Sequence, residues 1–140
     1  MVRRISFLVV VGLILVAVTG MASESEKKKI AVTVAEKWLG LVDEGKYVES
    51  WKKAAEYFRN AVKQEQWEES MLAVRKPLGK LVSRKVKSTS YKTSLPGAPD
   101  GEYVVIQFET SFTNKKKTIE TVTPMMDKDG KWQVSGYFIN

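Results

Sequence analysis

The chain has 140 residues, with 23 Lys and Arg against 16 Asp and Glu, a formal net charge of +7, and neither Cys nor His. Those two zeros exclude thiol nucleophiles, Ser-His triads, c-type haem attachment, disulfides and the usual Cys/His zinc sites. Acid–base chemistry is left to Asp, Glu, Lys or Tyr.

Met1 to Arg4 forms a cationic head, and Ile5 to Val18 is apolar except for Ser6 and Gly12. With small residues at Gly20 and Ala22, residues 1–22 read as a signal peptide cleaved before Ser23. The mature chain, residues 23–140, is then one α+β domain, long enough to bury a core without staples. The alternative is an uncleaved anchor, because Ile5 to Ala22 spans 18 residues and touches the lower limit for a membrane span. A lipid anchor would need a cysteine. Periplasmic or secreted localisation follows, with inner-membrane attachment through residues 5–22 if the segment stays. Without Arg3 and Arg4, 21 basic against 16 acidic side chains leave +5. Envelope polymers and headgroups suit that charge, and no aromatic-interleaved basic motif points to nucleic acid.

Ser23 and Glu26 have capping-box spacing, and Ile30, Val34, Trp38 and Leu41/Val42 recur at helical intervals until Gly45, which predicts a helix from about Glu26 to Glu44. Tyr47, Trp51, Ala54/Ala55, Phe58 and Val62 repeat the stripe in a second helix that doubles back. A third stripe runs Trp67, Met71, Val74, Leu78, Leu81. Pro77 and Gly79 are expected to break it near Arg75 to Gly79.

From Ser83 the period falls to two. Ser83 to Leu95 is a weakly patterned strand, closed by the loop Leu95-Pro96-Gly97-Ala98-Pro99-Asp100-Gly101. Glu102 to Phe112 alternates clearly, with Val104, Ile106, Phe108, Thr110 and Phe112 as its core face. Thr113 to Lys117 reads as a turn, Thr118 to Met126 as the returning strand, and Asp127 to Gly130 as a second turn. In the last strand, Lys131 to Ile139, the alternation places Trp132, Val134, Gly136 and Phe138 inside. The fold class is therefore α+β: two to three N-terminal helices on one face of a curved four-stranded antiparallel sheet.

Each motif has a plain structural reading. Asp127-x-Asp129-Gly130 resembles the opening of a calcium loop, but Trp132 and Val134 stand where further oxygen ligands belong, so it reads as a hairpin turn and no metal site is expected. Trp38, Trp51, Trp67 and Trp132 fall on apolar stripes and read as core. Lys27 to Lys29 and Lys115 to Lys117 read as solvated charge. Glu109 and Glu120 are the carboxylates inside well-patterned strands: they share the outer face if Thr121 stands opposite Thr110, and take opposite faces if the register shifts by one. No cofactor or catalytic residue is assigned. On the outer face, Tyr103, Val105, Tyr137 and Ile139 are unusually apolar. If the second and last strands lie side by side, these four form one exposed patch suited to self-association through the sheet or to an envelope partner, with Lys131, Gln133 and Gln107 as its rim.

Ala35-Glu36-Lys37-Trp38-Leu39-Gly40-Leu41-Val42-Asp43-Glu44-Gly45-Lys46-Tyr47, Ala73-Val74-Arg75-Lys76-Pro77-Leu78-Gly79, the loop from Leu95 to Tyr103, Glu120 to Met125, Asp129-Gly130-Lys131-Trp132 and Val134-Ser135-Gly136-Tyr137 together resemble the bacterial domain of unknown function 4019. The resemblance implies an exported or membrane-tethered domain, and supplies no reaction, cofactor or catalytic residue. In architecture the layout is similar to cystatin-like and nuclear-transport-factor-like cones, an analogy that carries no function. The expected function is a non-enzymatic periplasmic module that binds an envelope protein or a small ligand. Two alternatives stand beside it: a carboxylate- or tyrosine-based isomerase or lyase in a pocket between helices and sheet, which a buried Asp or Glu would favour, and a membrane-tethered basic module lying on anionic lipid.

Overall fold

A computed structural model describes residues 22–140. The signal segment predicted for residues 1–22 lies outside the described residues except for Ala22. Helix α1 spans Glu24–Asp43, α2 Tyr47–Lys52, α3 Glu56–Ala61 and α4 Gln64–Val74, followed by a 3₁₀ turn at Lys76–Leu78. Strands β1 (Leu81–Lys92), β2 (Tyr103–Phe112), β3 (Lys115–Met126) and β4 (Trp132–Ile139) follow as an antiparallel meander in the order β1-β2-β3-β4. None of the described helices is long and apolar enough to cross a membrane.

Ser23 caps α1 as its spacing predicts, its Oγ accepting the Glu26 N–H at 3.1 Å. Trp38 and Val42 of the expected stripe face inward, but the buried face is shifted toward Ala31, Ala35 and Leu39. Ala31, Ala35, Trp38, Leu39 and Val42 are buried, whereas Ile30 is 46% exposed. Two alanines let the helix axis approach the sheet closely, and the larger Ile30 is left at the margin. The second predicted helix is two short ones. Ala55 is extended and donates its N–H to the Val134 carbonyl at 2.8 Å, while Asp127 Oδ2 accepts the Glu56 N–H at 2.9 Å and starts α3. Neither contact can be anticipated from local spacing, because both partners are about 70 to 80 residues away along the chain.

Trp38, Trp67 and Trp132 are buried in one core with Val104, Ile106, Phe108, Val122 and Val134, and Trp51 packs against it. Ser50, fully buried, holds the first two tryptophans in place: its carbonyl accepts the Trp38 indole N–H at 2.8 Å, and its hydroxyl accepts that of Trp67 at 3.0 Å. Indole rings that bring a polar N–H inside need such partners.

Three strand expectations change. Strand β1 begins at Leu81, so Leu81 belongs to the sheet rather than to the third helix. The β2–β3 turn is only Thr113-Asn114, and Lys115 to Lys117 opens β3. The last strand carries a bulge: Val122 faces Tyr137 but Pro124 faces Val134, so Ser135 and Gly136 together oppose Thr123. That one extra residue reverses the alternation beyond it. Tyr137 and Ile139 take the inner side instead of Gly136 and Phe138, and Phe138 is 62% exposed.

Candidate functional site

Where the sheet meets the ends of α1 and α4, the core ceases to be apolar. Six side chains converge there from six places in the chain: Asp43 at the end of α1, Arg75 just after α4, Arg84 on β1, Thr110 on β2, Glu120 on β3 and Tyr137 on β4. The register explains the meeting, because Arg84 pairs with Thr110 and Thr110 with Thr118, which leaves Glu120 two residues along the same face. Thr110 is thus three positions from a Thr121 partner, an odd shift. Glu120 points inward and is fully buried, while Glu109 faces outward. The two carboxylates do not share a face.

Arg84 grips both acids. Its Nη1 and Nη2 lie 2.7 and 2.8 Å from the two Asp43 oxygens, and its Nε lies 2.7 Å from Glu120 Oε1. Arg75 reaches Asp43 Oδ1 at 2.7 Å and lies 3.8 Å from Glu120 Oε2, its guanidinium resting 4.7 Å from the centre of the Phe112 ring. Glu120 also accepts the Thr110 hydroxyl at 2.6 Å and the Tyr137 hydroxyl at 2.5 Å. Two guanidinium and two carboxylate groups make the cluster neutral, which is what burial of charge demands. Burial works to raise the Asp43 carboxyl, but the hydrogen bonds and charges of Arg84 and Arg75 outweigh it and hold the group below its ordinary value. Burial pushes the Tyr137 phenol far up, and the Glu120 charge beside it pushes further. Tyr137 therefore stays protonated and acts as a donor. Every strong acceptor faces a donor, and the orphan is the buried Arg75 Nε.

Over the same stretch of sheet as the cluster lies a surface concavity of about 610 Å³, whose lining includes Arg84, Thr110 and Thr118 beside the outward-facing residues. Alternation from the inward Arg84, Thr110 and Thr118 gives its side chains: Ser83 and Lys85 from β1, Glu109 and Ser111 from β2, Lys117 and Ile119 from β3, with Asn140 at one end. Two bulges shape it. Val82 is the extra residue on β1, and Lys116 and Lys117 together oppose Ser111. Lys85 pairs with Glu109 at 3.2 Å, and Lys116 and Lys117 are exposed at the rim. Among the described residues no group of three or more His, Cys, Asp or Glu side chains is placed to hold a metal ion.

The four residues of the expected apolar patch do not come together on the surface. Strand β3 lies between β2 and β4, so the side-by-side premise fails. Tyr103 is 1% exposed, covered with Ala55, Met125, Leu95 and Ala98, and its hydroxyl donates to the Pro99 carbonyl at 2.5 Å. The Pro- and Gly-rich loop folds over this ring. Tyr137 is turned inward by the bulge and packs against Trp38 and Trp67, with ring centres 5.6 and 6.1 Å apart. Val105 stays half-buried on the outer face opposite Ser90, and Ile139 stands opposite Glu120. Self-association through a merged patch has no such patch to use.

The charge cluster escaped sequence reading because its ion pairs join residues 32 to 45 positions apart, from Asp43–Arg75 to Arg75–Glu120, and none forms a motif. One signal was present: an Arg, a Thr and a Glu at core-phase positions of three strands.

Compared with known families, residues 34–137 match the model described as "Protein of unknown function (DUF4019)". No curated protein matches the chain.

Proposed function

The chain belongs to the DUF4019 family, and on that premise we propose that it is exported, loses residues 1–22 as a signal peptide, and works in the cell envelope as a non-catalytic binding module whose outer-face groove receives an anionic ligand or partner. The contrast between the two sides of the sheet carries this reading. The acid–base groups inside are closed on one another with no net charge, whereas the groove outside is open, lysine-rimmed and furnished with the hydroxyls of Ser83 and Ser111 and the amide of Asn140. Glu120 meets the burial condition that favoured an enzyme. Yet both of its oxygens already accept hydrogen bonds, from Arg84, Thr110 and Tyr137.

Amino-terminal sequencing of the mature protein is expected to begin at Ser23, and a form retaining Met1 in the membrane fraction overturns cleavage. For the groove, the isotope-labelled protein is titrated with fractionated envelope extract. Amide signals of Ser83, Ser111 and Ile119 should move first; movement confined to the helices places the binding surface elsewhere.

A further inference from the structure

A second concavity of about 400 Å³ lies on the other side of the molecule, between α1, the end of α2 and the start of β4. Its walls are chemically divided. Val34, Leu41 and the edges of Trp38 and Trp132 supply apolar surface, and Lys37, Lys52, Lys53 and Lys131 surround it. Lys53 reaches Glu49 at 3.8 Å; Lys37, Lys52 and Lys131 make no ion pair among the described residues. Trp38, Trp51 and Trp67 each donate the indole N–H to a protein acceptor, and Trp132 has no such acceptor among the described residues.

Lysine stems do cover apolar surface on ordinary proteins. Here four lysines from three separate stretches border one crevice whose described lining holds no carboxylate, and such a concentration of like charge is relieved by an anion. The floor between them suits hydrocarbon rather than a bare ion, and the volume falls in the range of small-molecule sites, about 300 to 1,000 Å³. We propose that this crevice binds a single-chain anionic amphiphile, with its acyl tail along Val34, Leu41 and Trp132 and its head among Lys37, Lys52 and Lys131. The site is distinct from the sheet groove and does not depend on the reading given to it.

The test uses dodecanoate and lysophosphatidylglycerol, each below its micelle-forming concentration, titrated into the purified protein with tryptophan emission as the readout. Saturable one-to-one binding is expected for at least one of them, and the preferred one identifies a carboxylate or a phosphate head. The Lys52→Glu, Lys131→Glu double variant should bind at least tenfold more weakly; both lysines are exposed, and an unchanged melting curve verifies its fold. Uncharged dodecanol should also bind at least tenfold more weakly. Equal binding of dodecanol, an unaffected double variant, or no saturable response to either anion overturns the proposal. Should the double variant melt early, Val34→Trp, which fills the crevice from a half-exposed position, takes its place with the same tenfold expectation.

Discussion

Tyr137 donates its phenolic hydrogen to Oε2 of Glu120 at 2.5 Å, joining the last strand to a carboxylate that has no contact with water. The bond exists only because the bulge at Ser135-Gly136 turns Tyr137 inward. Removing the hydroxyl in Tyr137→Phe leaves a buried acceptor short of one donor, which costs about 1–3 kcal/mol. Glu120→Ala leaves Asp43 alone to balance Arg84 and Arg75, one buried positive charge in excess, and should cost about 3–5 kcal/mol. Urea unfolding of both variants measures the difference, and equal, small losses would mean that the cluster contributes little to stability.

Asp43 gives the protein an acid limit. Its carboxyl sits below its ordinary value when folded, so its contribution is complete above the unfolded pKa of about 3.9 and is lost as pH falls through the lower, folded value. Melting temperature recorded against pH should therefore hold down to roughly pH 4 and then decline. Asp43→Asn should be less stable at neutral pH and show a shallower decline below pH 4.

Gly79 stands at φ +79° and ψ −153°, a conformation reserved for glycine, and a Cβ built on it would fall 2.0 Å from Thr113 Oγ1 and 3.0 Å from Asn114 Nδ2. The same turn accepts and donates across this gap: Thr113 Oγ1 takes the Lys80 N–H, and Asn114 donates to the carbonyls of Leu78 and Pro77. Gly79→Ala should cost about 1–3 kcal/mol in backbone strain, with the steric clash in addition. Calorimetry of the variant checks this, and a loss below 0.5 kcal/mol, on the order of a surface change, would contradict it.

Trp132 is 7% exposed and shares the core with Trp38. Truncation to Ala is expected to cost about 3–5 kcal/mol, read by chemical denaturation. A change under about 1 kcal/mol would show that the ring is held mainly for ligand contact rather than for packing.

Periodicity carried the α+β class, the order of elements, the core face of β2 and the hairpin turn at Asp127 to Gly130, because each depends on neighbours within a few residues. Long-range pairing decided the rest. Alternation alone assigned Gly136 and Phe138 to the core, and a bulge opposite Thr123 moved the phase by one residue. Tyr103 is on the outer side of β2 as expected, yet the loop from Leu95 to Gly101 covers it, and only the fold says where that loop lies. Of the groove, Ser111 falls on the outer phase of the second strand, whereas Lys117 reads only as solvated charge at a turn; their convergence depends on bulges with no signature in composition.

Helix α1 is fastened at both ends. Lys27 pairs with Glu102, which also accepts the Tyr91 hydroxyl at 2.9 Å, and Asp43 lies between the two arginines some four turns later. A mechanical pull applied at Ser23 therefore meets two different kinds of resistance. Directed outward, it peels the first turn and loads the half-exposed Lys27–Glu102 pair alone. Directed along the helix axis, it shears both fastenings and the Ala31–Ala35 contact with the sheet at once, so the domain should withstand far more force in that direction than in the other.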